Sequence, residues 1–407
     1  MNAWADHVMW WHLYPLGFTG APVRPAAPAS TPVHRLGRIE AWLDHVVRLG
    51  LNGIALGPIF ASETHGYDTV DHFRIDPRLG DEADFDRLVA AAHDRGVRVQ
   101  LDGVFNHVGR THPAARRYAL DQVFEGHDSL VVLDHDRPEV ADLAIRVMNH
   151  WLDRGVDAWR LDAAYATPPA FWARVLPEVR RDHPDAWFSG EVIHGDYPEI
   201  IRVSTMDSLT QYELWQAIWH GIADRNFYET AHGLKRHNDL LATFVPSTFT
   251  GNHDVTRLAS AIGTDLVPHA VAILLTVAGV PSIYAGDEYA WTGVKEQREG
   301  GDDAVRPEFP PQPPPDNNTL NTHRALIAIR RRHPWLLRAH TDVVHLANHQ
   351  LVLRTATDTA AVITALNLAD KQVSLPAADA TTLAAGEGAL SDSVVTLPAR
   401  GWAVLTA

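Results

Sequence analysis

The chain has no cysteine among its 407 residues. That excludes disulfides, thiolate metal sites and cysteine nucleophiles, while leaving the compartment open. It also lacks a basic cluster and any long run of like charge. With 35 lysines and arginines against 50 aspartates and glutamates, the formal charge is −15. Nucleic acid and anionic membrane are therefore excluded as expected partners, and a neutral or cationic ligand fits better. The N-terminal stretch MNAWADHVMWWHLYPLGF has no basic lead, and His12 and Pro15 break its apolar part. It reads as neither signal peptide nor membrane anchor, so the cytoplasm is the expected setting. A glycine-rich phosphate turn is missing after the first strand, which argues against a doubly wound dinucleotide fold. Apolar residues are abundant at 46%, enough for one large domain and a smaller one.

Short β-branched or aromatic runs alternate with helical patterns along most of the chain. The spacing predicts strands over 8–14, 52–56, 97–102, 158–162, 187–190, 206–209, 244–250 and 282–285. Helices are predicted over 38–49, 82–95, 140–154, 169–181, 214–222, 268–278 and 322–332. Eight strands separated by helices specify an α/β fold, and the length fits a closed (β/α)8 TIM barrel. Its first part is expected over 1–107 and its second over 140–338, interrupted after strand three by a short, loop-rich and partly helical insertion over 108–139. From 339 to 407, runs such as HQLVLRTA, AAVITALNL and GWAVLTA predict a small C-terminal antiparallel β domain. Two proline-rich stretches, 21–32 and 307–317, read as extended loops. The second is expected either to wall the barrel mouth or to lie flat against the β domain.

Four polar motifs end the predicted strands: DGVFNH (102–107), GVDAWRLD (155–162), SGEVIH (189–194) and TGNHD (250–254). In a barrel these C-terminal strand ends converge on one mouth, making distant residues neighbours. Arg160 and Asp162 stand two apart on a strand and so share a face. Alone, the pair reads as a structural ion pair. A fixed guanidinium also keeps a carboxylate ionised and aimed, which a nucleophile requires.

These motifs stand in one order with GLNGIALGPIF (50–60), HGYDTVDHFRIDPRLG (65–80) and GVPSIYAGDE (279–288). Together they resemble the α-amylase superfamily, glycoside hydrolase family 13, from the first strand to the last. The resemblance implies a retaining α-glycosidase, closest to the cyclomaltodextrinase, neopullulanase and α-glucosidase groups. It implies that Asp162 is the nucleophile, Glu191 the general acid and base, and Asp254 the third carboxylate favouring an oxocarbenium-like transition state. It implies substrate contacts at Tyr67, Asp68, His107, Arg160, His253 and Arg306. Tyr67 offers a ring for sugar stacking and Asp68 a carboxylate for distal hydroxyls. His107 and His253 hydrogen-bond the reacting sugar, and Arg160 orients Asp162. Arg306 either reaches an outer sugar or makes an ordinary loop salt bridge. Asp102 and Asn106 read as strand-end hydrogen-bonding residues rather than catalysts.

Departures from the family pattern narrow the expected substrate. Polymer-cutting α-amylases often carry Lys-His three and four residues beyond the nucleophile, on the leaving-group side, where this chain has Tyr165 and Ala166. Ala163 resembles the residue found in enzymes acting on α-1,4 links. The short insertion leaves few groups for the family's calcium site, although Asn106 stands where the family often binds the ion. No cofactor is therefore implied, and calcium is not expected to be required. The expected reaction is hydrolysis of short maltooligosaccharides or small α-glucosides. A transglycosylase or sugar isomerase would use the same glycosyl-enzyme intermediate, and a noncatalytic glucan-binding or transporter-associated protein is the rival from another class. The expected partner is a carbohydrate, with homodimerisation left open.

Overall fold

The computed structural model describes residues 4–26 and 31–407; residues 27–30 of the first proline-rich stretch lie outside the described residues. Eight short parallel strands form the central sheet: β1 (Trp10–Leu13), β2 (Gly53–Leu56), β3 (Arg98–Gly103), β4 (Ala158–Leu161), β5 (Trp187–Gly190), β6 (Ser208–Leu209), β7 (Ser247–Phe249) and β8 (Val280–Tyr284). They pair in the order β6-β5-β4-β3-β2-β1-β8-β7. A single parallel bridge, Thr210 to Ser247, joins the two ends and closes the barrel.

Alternation along the strands sorts side chains into a lumen and an outer layer. At the N-terminal end, Trp10, Ala55, Ala158, Trp187, Val245 and Val280 fill the lumen as one apolar cluster. Residues two further along, such as His12 and Arg160, make the next inward tier polar. The opposite face of the same strands packs beneath the helices, where Trp11, Trp42, Trp151 and Trp172 are fully buried. Helix Leu43–Leu49 buries Leu43, Val46 and Leu49, then stops at Gly50, whose φ of 93° suits glycine. Asp81 and Asp84 form a reciprocal capping box at the start of helix Glu82–His93.

Several elements go beyond the sequence expectations. Helices Tyr197–Ser204 and Phe227–Leu240 were not predicted, nor was the antiparallel pair of strands Phe60–Ser62 and Thr69–Ile75. Helix Phe227–Leu240 packs closely on helix Tyr212–Ala223: a Cβ on Gly233 would lie 2.4 Å from Ala217 Cβ, and one on Gly221 would lie 2.1 Å from Thr230 Oγ1. Glycines weaken a helical pattern in sequence but permit this approach. The insertion contains a three-stranded antiparallel sheet, His107–Gly109, Leu130–Leu133 and Ala119–Val123, beside helix Pro113–Tyr118.

The expectation for 307–317 as a wall of the mouth is overturned, and so is its placement against the β domain. Phe309 is buried against Phe18 (centroids 4.3 Å apart), Trp42 and Trp291. Trp42 Nε1 donates to Pro310 O at 3.1 Å, and Tyr289 hydroxyl to Pro314 O at 3.2 Å. An apolar anchor and backbone carbonyls pull this stretch into the outer aromatic layer.

The C-terminal region has a five-stranded antiparallel sheet and a three-stranded one. Every residue of its strand Ala361–Asn367 is buried. Val362 and Leu366 join the main core, while Ile363 and Ala365 join a separate core with Leu375, Val395 and Leu397. One face thus docks on helix Val267–Thr276, where the Thr276 and Thr364 hydroxyls lie 2.7 Å apart.

Candidate active site

The reactive residues sit one step beyond the barrel strands because the ladder continues through their backbones. Asp162 N donates to Gly103 O at 3.0 Å, and Glu191 N to Leu161 O at 2.8 Å. The next residue, Ala163, adopts φ 46°, unusual for a residue with a Cβ. Its amide donates to Glu191 Oε2 at 3.1 Å. The strained turn therefore links the two predicted catalytic carboxylates.

Arg160 is the hub. Its Nη1 donates to Asp102 at 2.6–2.7 Å and to Asp162 Oδ1 at 3.1 Å, while Nη2 lies 2.6 Å from Glu191 Oε1. Three carboxylates share one guanidinium. Burial pushes Asp162 well above the usual carboxylate range, outweighing the opposing pull of Arg160. Burial likewise raises Asp102 to about 6 against Arg160. Asp102 is thus more than a strand-end hydrogen-bonding residue; with Glu191 it is one of two carboxylates 2.6 Å from Arg160.

Asp254 lies on the far side of the mouth. Arg306 Nη2 donates to its Oδ1 at 2.6 Å, and His253 Nε2 lies 3.1 Å from its Oδ2. Burial tends to raise this carboxyl, but His253 and Arg306 outweigh it and hold Asp254 below its ordinary value. Arg306 also donates through Nε to His253 O at 2.9 Å and lies over the Tyr14 ring. Its guanidinium holds the Asp254 loop and also pairs with Asp302, the loop salt bridge that was one of its two expected roles.

The predicted histidines and Tyr67 frame these carboxylates. Burial holds His107 at about 3 and pushes His253 well below its ordinary value, so both imidazoles are neutral. His107 stacks on Phe124 of the insertion, with ring centroids 4.6 Å apart, and its Nδ1 lies 3.1 Å from Asn106 Nδ2. The Tyr67 ring lies parallel to His253; its hydroxyl contacts His253 Nε2 and donates to Asp102 Oδ2 at 3.3 Å. The loops after β2 and β7 meet there. Asp68 does not join the site. It is fully buried, its Oδ1 accepts from Thr64 N at 3.0 Å and its Oδ2 from the Thr64 hydroxyl. A carboxylate spent on its own turn cannot serve distal sugar hydroxyls.

Sequence reasoning missed Tyr212 and Glu125. The Tyr212 hydroxyl donates to Glu191 Oε1 at 3.0 Å and accepts from Asn252 Nδ2 at 2.9 Å; Asn252 Oδ1 accepts from Asp254 N at 2.9 Å. This chain of bonds ties the acid residue to the Asp254 loop. Tyr212 lies just after β6 in TQYELWQAI, so its position in the mouth was the available signal. Glu125, at the insertion's tip, accepts from the Tyr165 hydroxyl at 2.6 Å. Tyr165 also faces His194, with ring centroids 5.4 Å apart.

Among the described residues, two clusters of three side chains converge closely enough to share a cation: His34, Asp81 and Asp84, and His220, Asp224 and Glu229. Neither includes Asn106 or an insertion residue. Asn106 directs its amide to His107, and Asp81 with Asp84 already caps a helix.

A family model described as "Alpha amylase, catalytic domain" matches residues 36–129 and 114–310. A cyclomaltodextrinase of Geobacillus thermopakistaniensis (strain MAS1) is 31% identical over 409 residues, covering 86% of this chain and 67% of the relative. A maltogenic alpha-amylase of Bacillus acidopullulyticus is 28% identical, covering 82% of this chain and 64% of that one. The chain spans about two thirds of the length of these relatives. A ligand-free cyclic alpha-maltosyl-(1→6)-maltose hydrolase from Arthrobacter globiformis has the same fold, with a TM-score of 0.83 at 24% identity over 99% of both chains. The motif order, the barrel with its convergent carboxylates and the matched catalytic domain lead to one conclusion: the chain belongs to the α-amylase family of glycoside hydrolases.

Proposed function

We propose that the protein hydrolyses α-glucosidic, chiefly α-1,4, linkages in short maltooligosaccharides and related small α-glucosides, with retention at the anomeric carbon. The observation that carries this reading is the single Arg160 guanidinium bonded to both Asp162 and Glu191. One fork spanning both carboxyls favours the closer spacing of a retaining pair, roughly 5–5.5 Å, over the roughly 6.5–9.5 Å that an inverting enzyme needs for water.

In this mechanism Asp162 attacks the anomeric carbon while Glu191 protonates the departing oxygen. Glu191 then takes a proton from water as it displaces Asp162. Asp102, Asp162 and Glu191 share Arg160 while Asp254 pairs with Arg306, and a buried site resists excess negative charge. Burial and the neighbouring carboxylates raise Asp162 against the pull of Arg160, and attack proceeds from the state in which Asp162 is ionised and Glu191 carries the proton. Asp254, ionised beside Arg306, stabilises the developing positive charge.

The leaving-group side supports a short substrate. Tyr165 and Ala166 offer no cation to grip a long chain, and the insertion's tip reaches across through Glu125 and Phe124. Extra glucose units then add little to transition-state binding. The name of one relative, the intracellular maltogenic amylase of Bacillus subtilis, 31% identical over 62% of this chain, supports a cytoplasmic setting. No described helix is long and apolar enough to cross a membrane.

The test follows hydrolysis of a maltooligosaccharide ladder and soluble starch by NMR. The α-anomer is expected first, with kcat/KM for maltotriose to maltoheptaose well above that for starch. Initial β-anomer defeats the double displacement, and internal starch cleavage with an early fall in viscosity defeats the short-substrate reading.

Chelation is expected to leave activity and thermal midpoint unchanged. The short insertion and the turn of the Asn106 amide toward His107 support this reading, and an ion stabilises only a native state that binds it. Scanning calorimetry with and without chelator checks this; a calcium-reversible drop in midpoint overturns it.

A further inference from the structure

His12 has no role in the mechanism above. It lies on β1 two residues beyond Trp10, so its side chain enters the lumen one tier above the apolar plug. His12 keeps partial exposure, whereas Trp10, Trp11 and Leu13 beside it are buried. Its ring stands edge-on to His253, with centroids 4.9 Å apart at 89°, and tilted against Tyr284 at 5.5 Å. Arg160, Arg306 and Asp254 are close enough to act on its charge. Burial, aided by the two arginines and opposed by Asp254, holds the imidazole neutral at about 3.

The side chain of His12 makes no hydrogen bond to any described residue. Several inward-facing polar side chains, by contrast, find partners within the barrel. Asp102, Arg160 and Glu191 bond one another, and Ser189 and Ser208 both bond Ser247. Polar groups in protein interiors are normally satisfied. An unspent imidazole open to the mouth and touching His253 awaits a partner that arrives from outside.

We propose that His12 is a substrate-binding residue, hydrogen-bonding one hydroxyl of the glucose unit held at the floor of the mouth. A neutral imidazole presents one donor and one acceptor, which matches a hydroxyl's own pair better than it matches a charged group. Around the barrel, β1 stands across from β5, which carries Glu191 at its end. His12 therefore approaches the sugar from the side away from the oxygen that Glu191 protonates. It fixes the ring while the bond at the other end breaks, which is positioning by direct contact. The proposal rests on the α-glucosidase reading of the site.

The test couples one residue to one hydroxyl. His12→Phe keeps a ring of similar girth and removes both hydrogen-bonding atoms; His12→Gln restores a donor and an acceptor. Each variant and the parent enzyme are assayed on p-nitrophenyl α-glucoside and its 2-, 3-, 4- and 6-deoxy analogues, with thermal midpoints recorded. The expected result is a roughly 10- to 100-fold fall in kcat/KM for His12→Phe on the parent glucoside. That fall should vanish on one deoxy analogue alone, and His12→Gln should recover part of the activity. An equal fall on all five glucosides means that the ring only supports packing, and an unchanged His12→Phe means that it contacts nothing; either overturns the proposal. If the parent enzyme leaves every glucoside intact, the reading beneath the proposal fails, and the proposal with it.

Discussion

Asp162→Asn and Glu191→Gln each lower kcat by about four orders of magnitude or more, while the thermal midpoint stays within about 4 °C of the parent. The asparagine keeps the shape of Asp162 and loses the charge that attacks. The glutamine keeps the shape of Glu191, its single oxygen can still accept from either Tyr212 or Ala163 N, and it cannot carry the proton. In both variants Arg160 still faces two carboxylates, so no charge is left buried alone. Steady-state kinetics beside calorimetry separates chemistry from folding, and a folded variant with near-parental turnover removes that residue from the mechanism.

Arg160→Met is expected to cost activity and stability together. Methionine fills much of the arginine stem's volume but leaves Asp102, Asp162 and Glu191 buried without their shared cation. Removing one partner from a buried ion cluster costs roughly 3–5 kcal/mol. The pH dependence fixes the cause. Asp102 and Asp162 already have folded-state values above the ordinary carboxylate range, so the native state binds more protons than the unfolded chain. Their contribution is complete below the unfolded value and declines as pH rises through the folded one, about 6 for Asp102. Without Arg160 the folded values rise further. The variant should therefore lose more stability relative to parent at pH 8 than at pH 5, measured by denaturant unfolding. A deficit independent of pH would mean that packing, not charge, is what Arg160 supplies.

The barrel was legible because its strands are short apolar runs ending in polar motifs, and the two-residue step from Arg160 to Asp162 forecast their common face. What sequence could not carry was the destination of each polar atom. Asp68 sits in a motif with Tyr67, yet its oxygens are taken by Thr64, four residues back, in a turn that no periodicity reveals. Asp102 looked like a strand terminator until β3 and β4 were laid side by side, where Asp102 and Arg160 fall in register. Glu125 meets Tyr165 only through the fold of a short insertion whose strands show no clear alternation. The stretch 307–317 was read from its prolines; Phe309, its one large apolar anchor, decides where it lies.

The barrel is uneven around its circumference. Strand β6 has two residues, and its backbone joins β7 through the Thr210–Ser247 bridge and a hydrogen bond from Gln211 N to Ser247 O at 2.8 Å, beside serine hydroxyl contacts and the packing of Phe249 on Tyr212. A closed sheet opens most readily where the fewest backbone bonds must break, so any local opening of the cylinder is expected at this seam. Tyr212 lies directly after β6 and Asn252 shortly after β7, and their bond spans the seam above the bridge. When the seam parts, the Tyr212 link between Glu191 and the Asp254 loop parts with it, while the Arg160 cluster on β3 to β5 stays whole. Local opening would thus dismantle one flank of the mouth and spare the other, giving the two halves separate lifetimes.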